Sequence, residues 1–408
     1  MRELTLWTLP NNGYDTVPAL REHLSDFHRE HAGIRASVWV RTPRTLWERL
    51  LTAAKEGTSG PDLVQIPSHW TSTLARLGVL ADLGELDPGL DLGRWPASMR
   101  AQCRLDGTPH VYSLPWWAEA RVLYYRRDAL KAAGCAPEDL AAWEGFTEVC
   151  RRAAKRALSS CGLQHPVANP NPRESVSLAD VAPCVWSRGG DLFAADGTRS
   201  LFQRERAERG IADYFKLLAS GAMPLKGESG LAPLDLFEGA CALQFSGRRP
   251  PPVPRAGPRR ASALRARGRI GAVPFPAGDG ATILSAWNLG VLRNTPAPRE
   301  AYALARWLSS GSPASAYARA IGAFPAAEGP AVMGDEDPDL RGVFEAAFAR
   351  ARMIPNLSVL GSLERVFDRS MERQVREVAR RRWSPETLRE ELIHAASEVD
   401  YILSFHAA

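Results

Sequence analysis

The residues with the clearest chemical potential lie in one stretch, Leu114 to Asp128, which reads LPWWAEARVLYYRRD. Two adjacent tryptophans, Trp116 and Trp117, precede a single carboxylate, Glu119. An indole ring can stack on the C–H face of a sugar ring, and a carboxylate can accept hydrogen bonds from the sugar hydroxyls. The stretch therefore indicates either a surface that holds a flat ligand or a buried aromatic strand.

Three further tryptophans, Trp7, Trp70 and Trp287, fall where predicted strands end. Polar residues accompany two of them, since His69 precedes Trp70 and Asn288 follows Trp287. Strand-end aromatics beside polar groups are typical of carbohydrate sites. Each ring taken alone is also explained by packing in the core or between lobes.

Signatures of catalysis and of metal binding are missing from the sequence. It contains no GxSxG, HExxH, P-loop or GxGxxG motif, and its six cysteines form no CxxC pair. The closest histidines, His28 and His31, are expected on the solvent face of an early helix. Glu119 could serve a glycosidase together with a distant acid, but no second acid stands out. We therefore expect a protein that is not an enzyme and that uses neither a metal nor another cofactor.

Bulk properties are those of a globular protein with a large core. The 408 residues are 45% hydrophobic and 24% charged, which predicts two or three domains. The net charge of +5 is too small for a dedicated nucleic-acid binder. No window approaches the ~20 apolar residues of a membrane span. The N-terminus shows no secretory h-region, so we expect either a cytosolic protein or a trimmed mature form.

The elements that must position these residues alternate between strand and helix at the start of the chain. Strands are predicted at 3–9, 34–40 and 61–66, and helices at 16–31 and 46–54. This alternation favours an α/β layer with a parallel sheet, in which ligands lie beyond the carboxyl ends of the strands. Asn11 and Asn12 follow the first strand, and His69 and Trp70 follow the third.

The remainder of the chain is predicted to be mostly helical, with strands near 241–245, 270–275 and 283–292. Residues 248–269 contain eight arginines and five prolines but no acid, so the first half of this segment is expected to form a loop. The segment also leaves open a different function, the binding of a polyanion.

An ordered set of segments resembles the extracellular solute-binding proteins of ABC importers, specifically the carbohydrate-binding, maltose-binding-protein-like group. The resemblance extends over nearly the whole chain, and no single motif in it is diagnostic. The matching segments are PDLVQIPSHWTSTLARLGVLADL, LPWWAEARVLYYRRDAL, EGACALQFSG, GAVPFPAGDGATILSAWNLGV and EAYALARWLSSGSPASAYARAIGAFPA.

The resemblance implies an α/β, two-lobe periplasmic-binding-protein-like fold of type II, with discontinuous lobes joined by a hinge. Lobe one would consist of residues 1–112 and 276–323. Lobe two would consist of residues 113–275 and 324–408. Ligand would bind between the lobes, which close by hinge bending.

Position by position, the resemblance also implies a set of ligand-binding residues. They are Asn11, Asn12, His69, Trp70, Trp116, Trp117, Glu119, Asp180, Trp186, Arg249, Trp287, Asn288 and Arg352, with Asn356 and Ser358 in the same C-terminal segment.

The implied function is that of a substrate-binding protein which captures a mono- or oligosaccharide and delivers it to the transmembrane subunits of an ABC permease. Such a protein would be a monomer without a nucleic-acid partner. It would act in the periplasm or outside the cell. A signal that is later removed would direct it there, or a lipoprotein anchor would hold it at the membrane.

The sequence departs from the family at Arg248-Arg249-Pro250, where an aromatic residue is common. Guanidinium groups prefer anions, so a phosphorylated or acidic sugar or glycerol phosphate stays open as the ligand. A glycoside-active enzyme that uses Glu119 stays open as well.

Overall fold

The computed structural model describes residues 1–10, 16–57, 60–169, 176–225, 236–237, 239–250, 270–277, 279–333 and 337–406. The chain divides into two compact units. The first unit comprises Met1–Glu119, Ser285–Val332 and Pro355–Gly361, and the second comprises Ala120–Leu284, Met333–Ile354 and Ser362–Ala408.

The observed crossings between the units differ from the expected lobe boundaries. The crossings expected after residues 112, 275 and 323 occur after residues 119, 284 and 332. The first two shifts arise because the chain changes unit within a strand and not before it. In addition, residues 355–361, which were expected in lobe two, belong to the first unit.

The secondary structure follows the chain in alternating blocks. The strands are β1 (Arg2–Thr8), β2 (Ile34–Val40), β3 (Leu63–Pro67), β4 (Leu114–Ala120), β5 (Val122–Arg126), β6 (His165–Ala168), β7 (Cys241–Ser246), β8 (Ile270–Val273), β9 (Thr282–Val291), β10 (Phe324–Pro325) and β11 (Ala351–Arg352).

The helices flank these strands and dominate the C-terminal region. They are α1 (Thr16–Glu30), α2 (Pro43–Glu56), α3 (Thr71–Arg76), α4 (Leu83–Leu86), α5 (Ala97–Ala101), α6 (Arg127–Ala133), α7 (Trp143–Cys161), α8 (Leu178–Ser187), α9 (Glu205–Ala219), α10 (Pro298–Leu308), α11 (Gly311–Ala320), α12 (Pro338–Arg350), α13 (Leu360–Ala379) and α14 (Pro385–His406). None of the helices that the described residues form combines the length and apolarity needed to cross a lipid bilayer.

The sheet of the first unit is mixed, not purely parallel. Its strand order is β10-β4-β9-β3-β1-β2. β1 pairs in parallel with both β2 and β3, as the alternation of strands and helices predicts. β9 returns antiparallel to β3, and β10 runs antiparallel to β4. The buried strand β3 thus lies between a parallel neighbour, β1, and an antiparallel neighbour, β9.

A buried carboxylate links three segments of the first unit. Asp62 Oδ2 accepts hydrogen bonds from the Thr5 backbone N–H at 2.7 Å and from the Thr5 hydroxyl at 3.0 Å. Asp62 Oδ1 accepts from the Thr295 hydroxyl. A buried carboxylate with both oxygens hydrogen-bonded avoids most of the penalty of leaving water, so Asp62 can hold β1, β3 and the chain after β9 together.

Helix α2 begins earlier than its apolar periodicity indicates, because its first turn is defined by polar capping. Thr42 is the N-cap residue, and its side chain accepts a hydrogen bond from Thr45 N at 3.2 Å. Pro43 occupies the first helical position, where no intrahelical N–H is needed. Gly57 ends the helix with a φ of 62°, a left-handed conformation that favours glycine.

The sheet of the second unit has the strand order β6-β7-β5-β8. β5 is antiparallel to β7 and β8, and β6 is parallel to β7. Tyr124 and Tyr125 in β5 are both buried. Gly271 in β8 lies against Tyr125, and a Cβ at this position would come 2.3 Å from the ring carbon Cζ. A larger residue at this position would have to displace the Tyr125 ring.

Thiol reactivity should divide the six cysteines into two classes. Cys103, Cys150, Cys184 and Cys241 are buried, whereas Cys135 and Cys161 are half-buried. Burial raises the pKa of the Cys103 thiol to about 12 and raises the thiol pKa of Cys150 and Cys184 further. Since the thiolate is the nucleophile, a disulfide reagent should modify two thiols in the folded protein and four only upon unfolding. The Cys135→Ser/Cys161→Ser variant should lose the early phase, and early modification of a third thiol would contradict this assignment.

The pH dependence of stability should include a contribution from His28 in α1. Its Nε2 accepts a hydrogen bond from Ala36 N at 2.9 Å. Burial, with a smaller effect of Arg35, lowers the pKa of His28, so the fold favours the neutral ring. This stabilisation is complete above pH ~6.5 and declines as the pH falls through that value toward the lowered pKa of the folded state.

His28→Gln keeps an acceptor that does not titrate, and its melting temperature should fall less than that of the unmodified protein between pH 7.5 and 5. His394→Gln, at an exposed position of α14, serves as the control; equal pH dependence of all three proteins would exclude the contribution.

Candidate functional site

A group of half-buried aromatic side chains is the most distinctive surface of the first unit. We call it the aromatic rim; it consists of Trp7, Trp47, Trp70, Tyr112 and Trp287. All five side chains pack against one buried apolar cluster, formed by Leu9, Leu46, Leu50, Val64, Ile66, Leu74, Val79, Leu80 and Leu292. The packed side of each ring is therefore fixed, and part of each side chain remains accessible.

Strand ends and strand register bring the rim together. Trp7 is the penultimate residue of β1, and Trp70 ends the 3-10 turn Ser68–Trp70 that directly follows β3. The register of β9 on β3 places Trp287 opposite Pro67, next to the same turn. Trp47 from α2 meets Trp70 edge to face, with ring centroids 4.8 Å apart. Trp47, Trp70 and Trp287 thus lie at the carboxyl end of β3, where ligands of α/β sheets bind. Trp7 lies on the neighbouring strand β1, where it pairs with Val64.

Trp116 and Trp117 do not form an accessible surface, which corrects the expectation that they flank a ligand. Both side chains are fully buried in β4. Trp116 stacks on Tyr317 at a centroid distance of 4.4 Å and an interplanar angle of 6°. Trp117 stacks on Trp287 at 5.0 Å and 24°. Trp116 is therefore a core residue, whereas Trp117 supports the rim by fixing the plane of Trp287.

Asn288 is also a structural residue, which corrects its expected place in the ligand site. It is fully buried, and its Nδ2 donates to Ser113 Oγ at 2.9 Å and lies 3.4 Å from Thr71 Oγ1. Successive side chains of a strand point to opposite faces. Since Trp287 takes part in the rim, its neighbour Asn288 must face the interior.

The C-terminal segment 355–361 is fastened to the first unit by two of the expected site residues. Asn356 Nδ2 donates to the carbonyl oxygens of Ala101 and Arg104, at 2.9 and 3.0 Å. Ser358 Oγ accepts from Arg76 Nε at 2.9 Å. These bonds explain why the segment belongs to this unit and not to the second.

Three other expected polar residues have distinct positions. His69 is half-buried, with its ring 6.5 Å from that of Trp70, so it borders the aromatic rim. Glu119 is half-buried near the end of β4 and is the last residue of the first unit's opening segment. Asn11 and Asn12 lie outside the described residues.

Asp180 in the second unit is occupied by structural contacts, which corrects its expected role as a ligand group. It closes a capping box at the start of α8, where its Oδ2 accepts from Ser177 N at 3.0 Å and from the Ser177 hydroxyl at 2.7 Å. Its Oδ1 forms an ion pair with Arg121 at 3.2 Å. Both carboxylate oxygens therefore hold protein groups.

Trp186 and Arg352 come together in the second unit through a third residue, Asp191. The Trp186 indole N–H donates to Asp191 Oδ1 at 3.2 Å, and the Arg352 guanidinium pairs with Asp191 Oδ2. The guanidinium carbon of Arg352 also lies 4.6 Å from the centroid of the Trp186 ring. Arg352 thus neutralises Asp191 and covers a face of the buried Trp186.

Arg248 and Arg249 lie at the edge of the described residues. Arg248 is buried, and its carbonyl oxygen accepts from the Tyr124 hydroxyl at 2.9 Å. Arg249 is half-buried. The following arginine-rich stretch, 251–269, lies outside the described residues, as does any contact that it makes.

Sequence reasoning missed Trp47, Tyr112 and Asp191. Trp47 lies within the predicted helix 46–54, and its position in that helix was the feature of the sequence that could have identified it as a site residue. Tyr112 precedes the LPWWAEA strand, and Asp191 follows a pair of glycines after α8; neither pattern indicates a site. Within the described ranges, no group of three or more His, Cys, Asp or Glu side chains is arranged to hold a metal ion.

Comparison with family models finds one match across most of the chain. A model described as bacterial extracellular solute-binding protein matches residues 23–338. The matched region includes β2, β3, β4 and β9, and with them four of the five residues of the aromatic rim.

Solved structures of similar fold cover nearly the whole chain at low identity. The GacH receptor of Streptomyces glaucescens, studied unliganded and with acarbose, has a TM-score of 0.79 and 19% identity, over 98% of this chain and 99% of that one. A solute-binding protein of Thermotoga lettingae bound to α-D-tagatose has a TM-score of 0.80 and 18% identity, over 99% and 100%. An ABC substrate-binding protein of Listeria monocytogenes in complex with cycloalternan has a TM-score of 0.79 and 18% identity, over 99% of each chain. These similarities establish the fold.

Curated relatives match a shorter region. Putative binding proteins of Brucella abortus and Brucella suis are 27% identical over 186 residues, which is 46% of this chain. The match spans 43% of the length of each relative, less than half.

Replacing Asn288 should reduce stability, because the amide is a buried anchor. Asn288→Ala would leave Ser113 Oγ without its closest amide donor and would open a small cavity between β9 and α3. We expect the free energy of unfolding to fall by about 1–3 kcal/mol. Denaturant unfolding measures the change, with Asn356→Ala, at a less buried amide, as the comparison. An unfolding midpoint equal to that of the unmodified protein would show that the Asn288 network contributes nothing.

Proposed function

Because the chain belongs to the family of bacterial extracellular solute-binding proteins, we propose that it is the substrate-binding protein of an ABC importer and captures a mono- or oligosaccharide. The aromatic rim is the observation that carries the proposal. Its rings combine an anchored side with an accessible part, which is the property that stacking on a sugar requires.

The polar part of the site would come from groups that border the rim. The buried Nε1 of Trp287 has no hydrogen-bond acceptor among the described residues. An indole N–H in a desolvated position favours a ligand oxygen as its partner, since an unsatisfied donor is costly. His69 would supply a further polar contact beside Trp70, and Glu119 a carboxylate acceptor for hydroxyl groups. Recognition of this kind requires no covalent step.

The solved structures that share this fold support the choice of ligand class. The proteins of Streptomyces glaucescens, Thermotoga lettingae and Listeria monocytogenes are described with acarbose, tagatose and cycloalternan respectively. These ligands range from a single sugar to a cyclic oligosaccharide, so the fold accommodates different lengths. The proposal includes delivery of the sugar to the transmembrane subunits of an ABC permease.

The cellular setting follows from the family. Extracellular solute-binding proteins act outside the cytoplasmic membrane, in the periplasm or at the cell surface. The proposed protein is a monomer without a nucleic-acid partner. Either a signal that is later removed directs it to this location, or a lipoprotein anchor holds it there. Catalysis by Glu119 is not part of the proposal.

Removing single rim aromatics should weaken sugar binding with a limited effect on folding. A sugar at 100 times its dissociation constant adds about 2.7 kcal/mol to the stability of the folded state, which a thermal-shift screen of mono- and oligosaccharides detects. Trp70→Ala and Trp287→Ala should each reduce the affinity by roughly 2- to 13-fold, because a stacked aromatic contact contributes about 0.5–1.5 kcal/mol.

Trp383→Ala is the matched control for this experiment. Trp383 is half-buried in the second unit and stacks on Phe215 with ring centroids 6.1 Å apart, so its loss tests general destabilisation. Its sugar affinity should equal that of the unmodified protein. A shift with peptides or polyamines but with no sugar would refute the proposed ligand class.

A further inference from the structure

Arg41, at the junction of β2 and α2, has its guanidinium group close to two tryptophan rings. Its guanidinium carbon lies 5.2 Å from the ring centroid of Trp7 and 5.3 Å from that of Trp39. Cations attract the faces of aromatic rings, and two rings restrict the orientation of the side chain more than one ring does.

Strand pairing produces this arrangement. Trp7 and Trp39 are direct partners in the parallel β1–β2 pairing, so their side chains stand next to each other on the sheet. Arg41 follows Trp39 by two residues, and side chains two apart along an extended chain share a face. Arg41 N donates to Thr8 O at 2.8 Å, which continues the pairing, and Thr42 then caps α2. The backbone of Arg41 is therefore held on both sides.

The charge of Arg41 is not neutralised within the part of the chain that the structure describes. No described carboxylate lies within ion-pair distance of it, and its Nε is buried without a hydrogen-bond acceptor. The terminal nitrogen Nη1 has only the Val40 carbonyl oxygen, at 3.5 Å. By contrast, Arg126 forms paired bonds with Asp128, and Arg188 contacts both Asp213 and Glu144.

An orphaned donor on a fixed guanidinium indicates a missing acceptor. A partly desolvated guanidinium gains most from a group that accepts two hydrogen bonds and carries negative charge, such as a carboxylate or a phosphate. Removing the charge from water without such a partner is unfavourable. Burial of Nε beside the ring of Trp7 thus favours an anionic ligand over a single hydroxyl.

The position of Arg41 connects this charge to the ligand surface. Trp7 is a member of the aromatic rim, and Arg41 lies just beyond the carboxyl end of the strand next to it. Trp39 is 51% exposed, so the outer side of the pair of rings is accessible. A sugar stacked on the rim near Trp7 could place an acidic substituent within reach of Arg41.

We propose that Arg41 binds a carboxylate or phosphate group of the captured sugar, so that the protein selects an acidic sugar over its neutral counterpart. This inference rests on the proposed function and adds a specificity-determining residue to it. It is independent of the arginine pair at 248–249, since it uses only residues of the first unit.

Calorimetric titration of matched ligands tests the inference. The neutral members are glucose and galactose with their β-linked disaccharides; the acidic members are glucuronate, galacturonate, the corresponding uronic-acid disaccharides and the sugar 6-phosphates. At least one acidic member should bind tenfold or more tightly than its neutral partner, and raised salt should weaken this preference. Comparing uronates with sugar phosphates distinguishes the two sources of negative charge.

Variants at position 41 assign the preference to this side chain. Arg41→Gln should bring the acidic ligand to within about twofold of its neutral partner, whereas Arg41→Lys should retain part of the preference because it keeps the charge but not the planar fork. Arg35→Gln is the control, since Arg35 is an exposed arginine at the other end of the same strand. It should leave the preference unchanged. Thermal unfolding of each variant verifies that it is folded.

The possible outcomes separate this inference from the proposed function. Tighter binding of a neutral sugar, or an acidic preference that Arg41→Gln preserves, would overturn the role of Arg41 and leave the proposed function intact. Binding of no sugar from either class would overturn both.

Discussion

The antiparallel pairing of β9 with β3 is the constraint on which the first unit depends. It joins residues separated by more than 200 positions, in a register that runs from Leu63 opposite Val291 to Pro67 opposite Trp287. A slip of one residue would exchange the faces of Trp287 and Asn288. The indole would then enter the polar pocket that the amide now fills, and the amide would replace it in the aromatic rim.

Polar groups buried in the first unit make this register specific. Burial of apolar surface contributes most of the stability but distinguishes poorly between registers, because it is not directional. Hydrogen bonds are directional, and a buried donor or acceptor without a partner is costly. The bonds of Asn288 to Ser113 and of Asp62 to Thr5 and Thr295 form only in one alignment of the strands. The same alignment stacks Trp287 on Trp117 and so sets the plane of a rim residue.

The electrostatic contacts of the chain have two different characters. Several arginines form exposed ion pairs along a helix, such as Arg44 with Glu48, and pairs of this kind contribute little to stability. A smaller set is partly or wholly desolvated and has a definite task. Arg121 holds the capping carboxylate of α8, and Arg352 covers Trp186 while it neutralises Asp191. Arg41 lies against two tryptophan rings with its Nε buried but has no carboxylate partner among the described residues, and for this reason it indicates specificity and not structure.

The sequence by itself indicated the family and much of the secondary structure. Period-two and period-3.6 patterns located β1, β2, β3 and α1 to within a few residues, because local periodicity acts over short distances, whereas the short elements β6, α4 and α5 were not predicted. The ordered segments indicated the solute-binding resemblance that the family match confirms. Only the tertiary structure decided which tryptophans are accessible and which are core. Trp116 and Trp70 look equivalent as strand-end aromatics, yet one is enclosed by Tyr317 and the other remains half-open. Exposure depends on register and on neighbours from distant segments, and no local pattern contains that information.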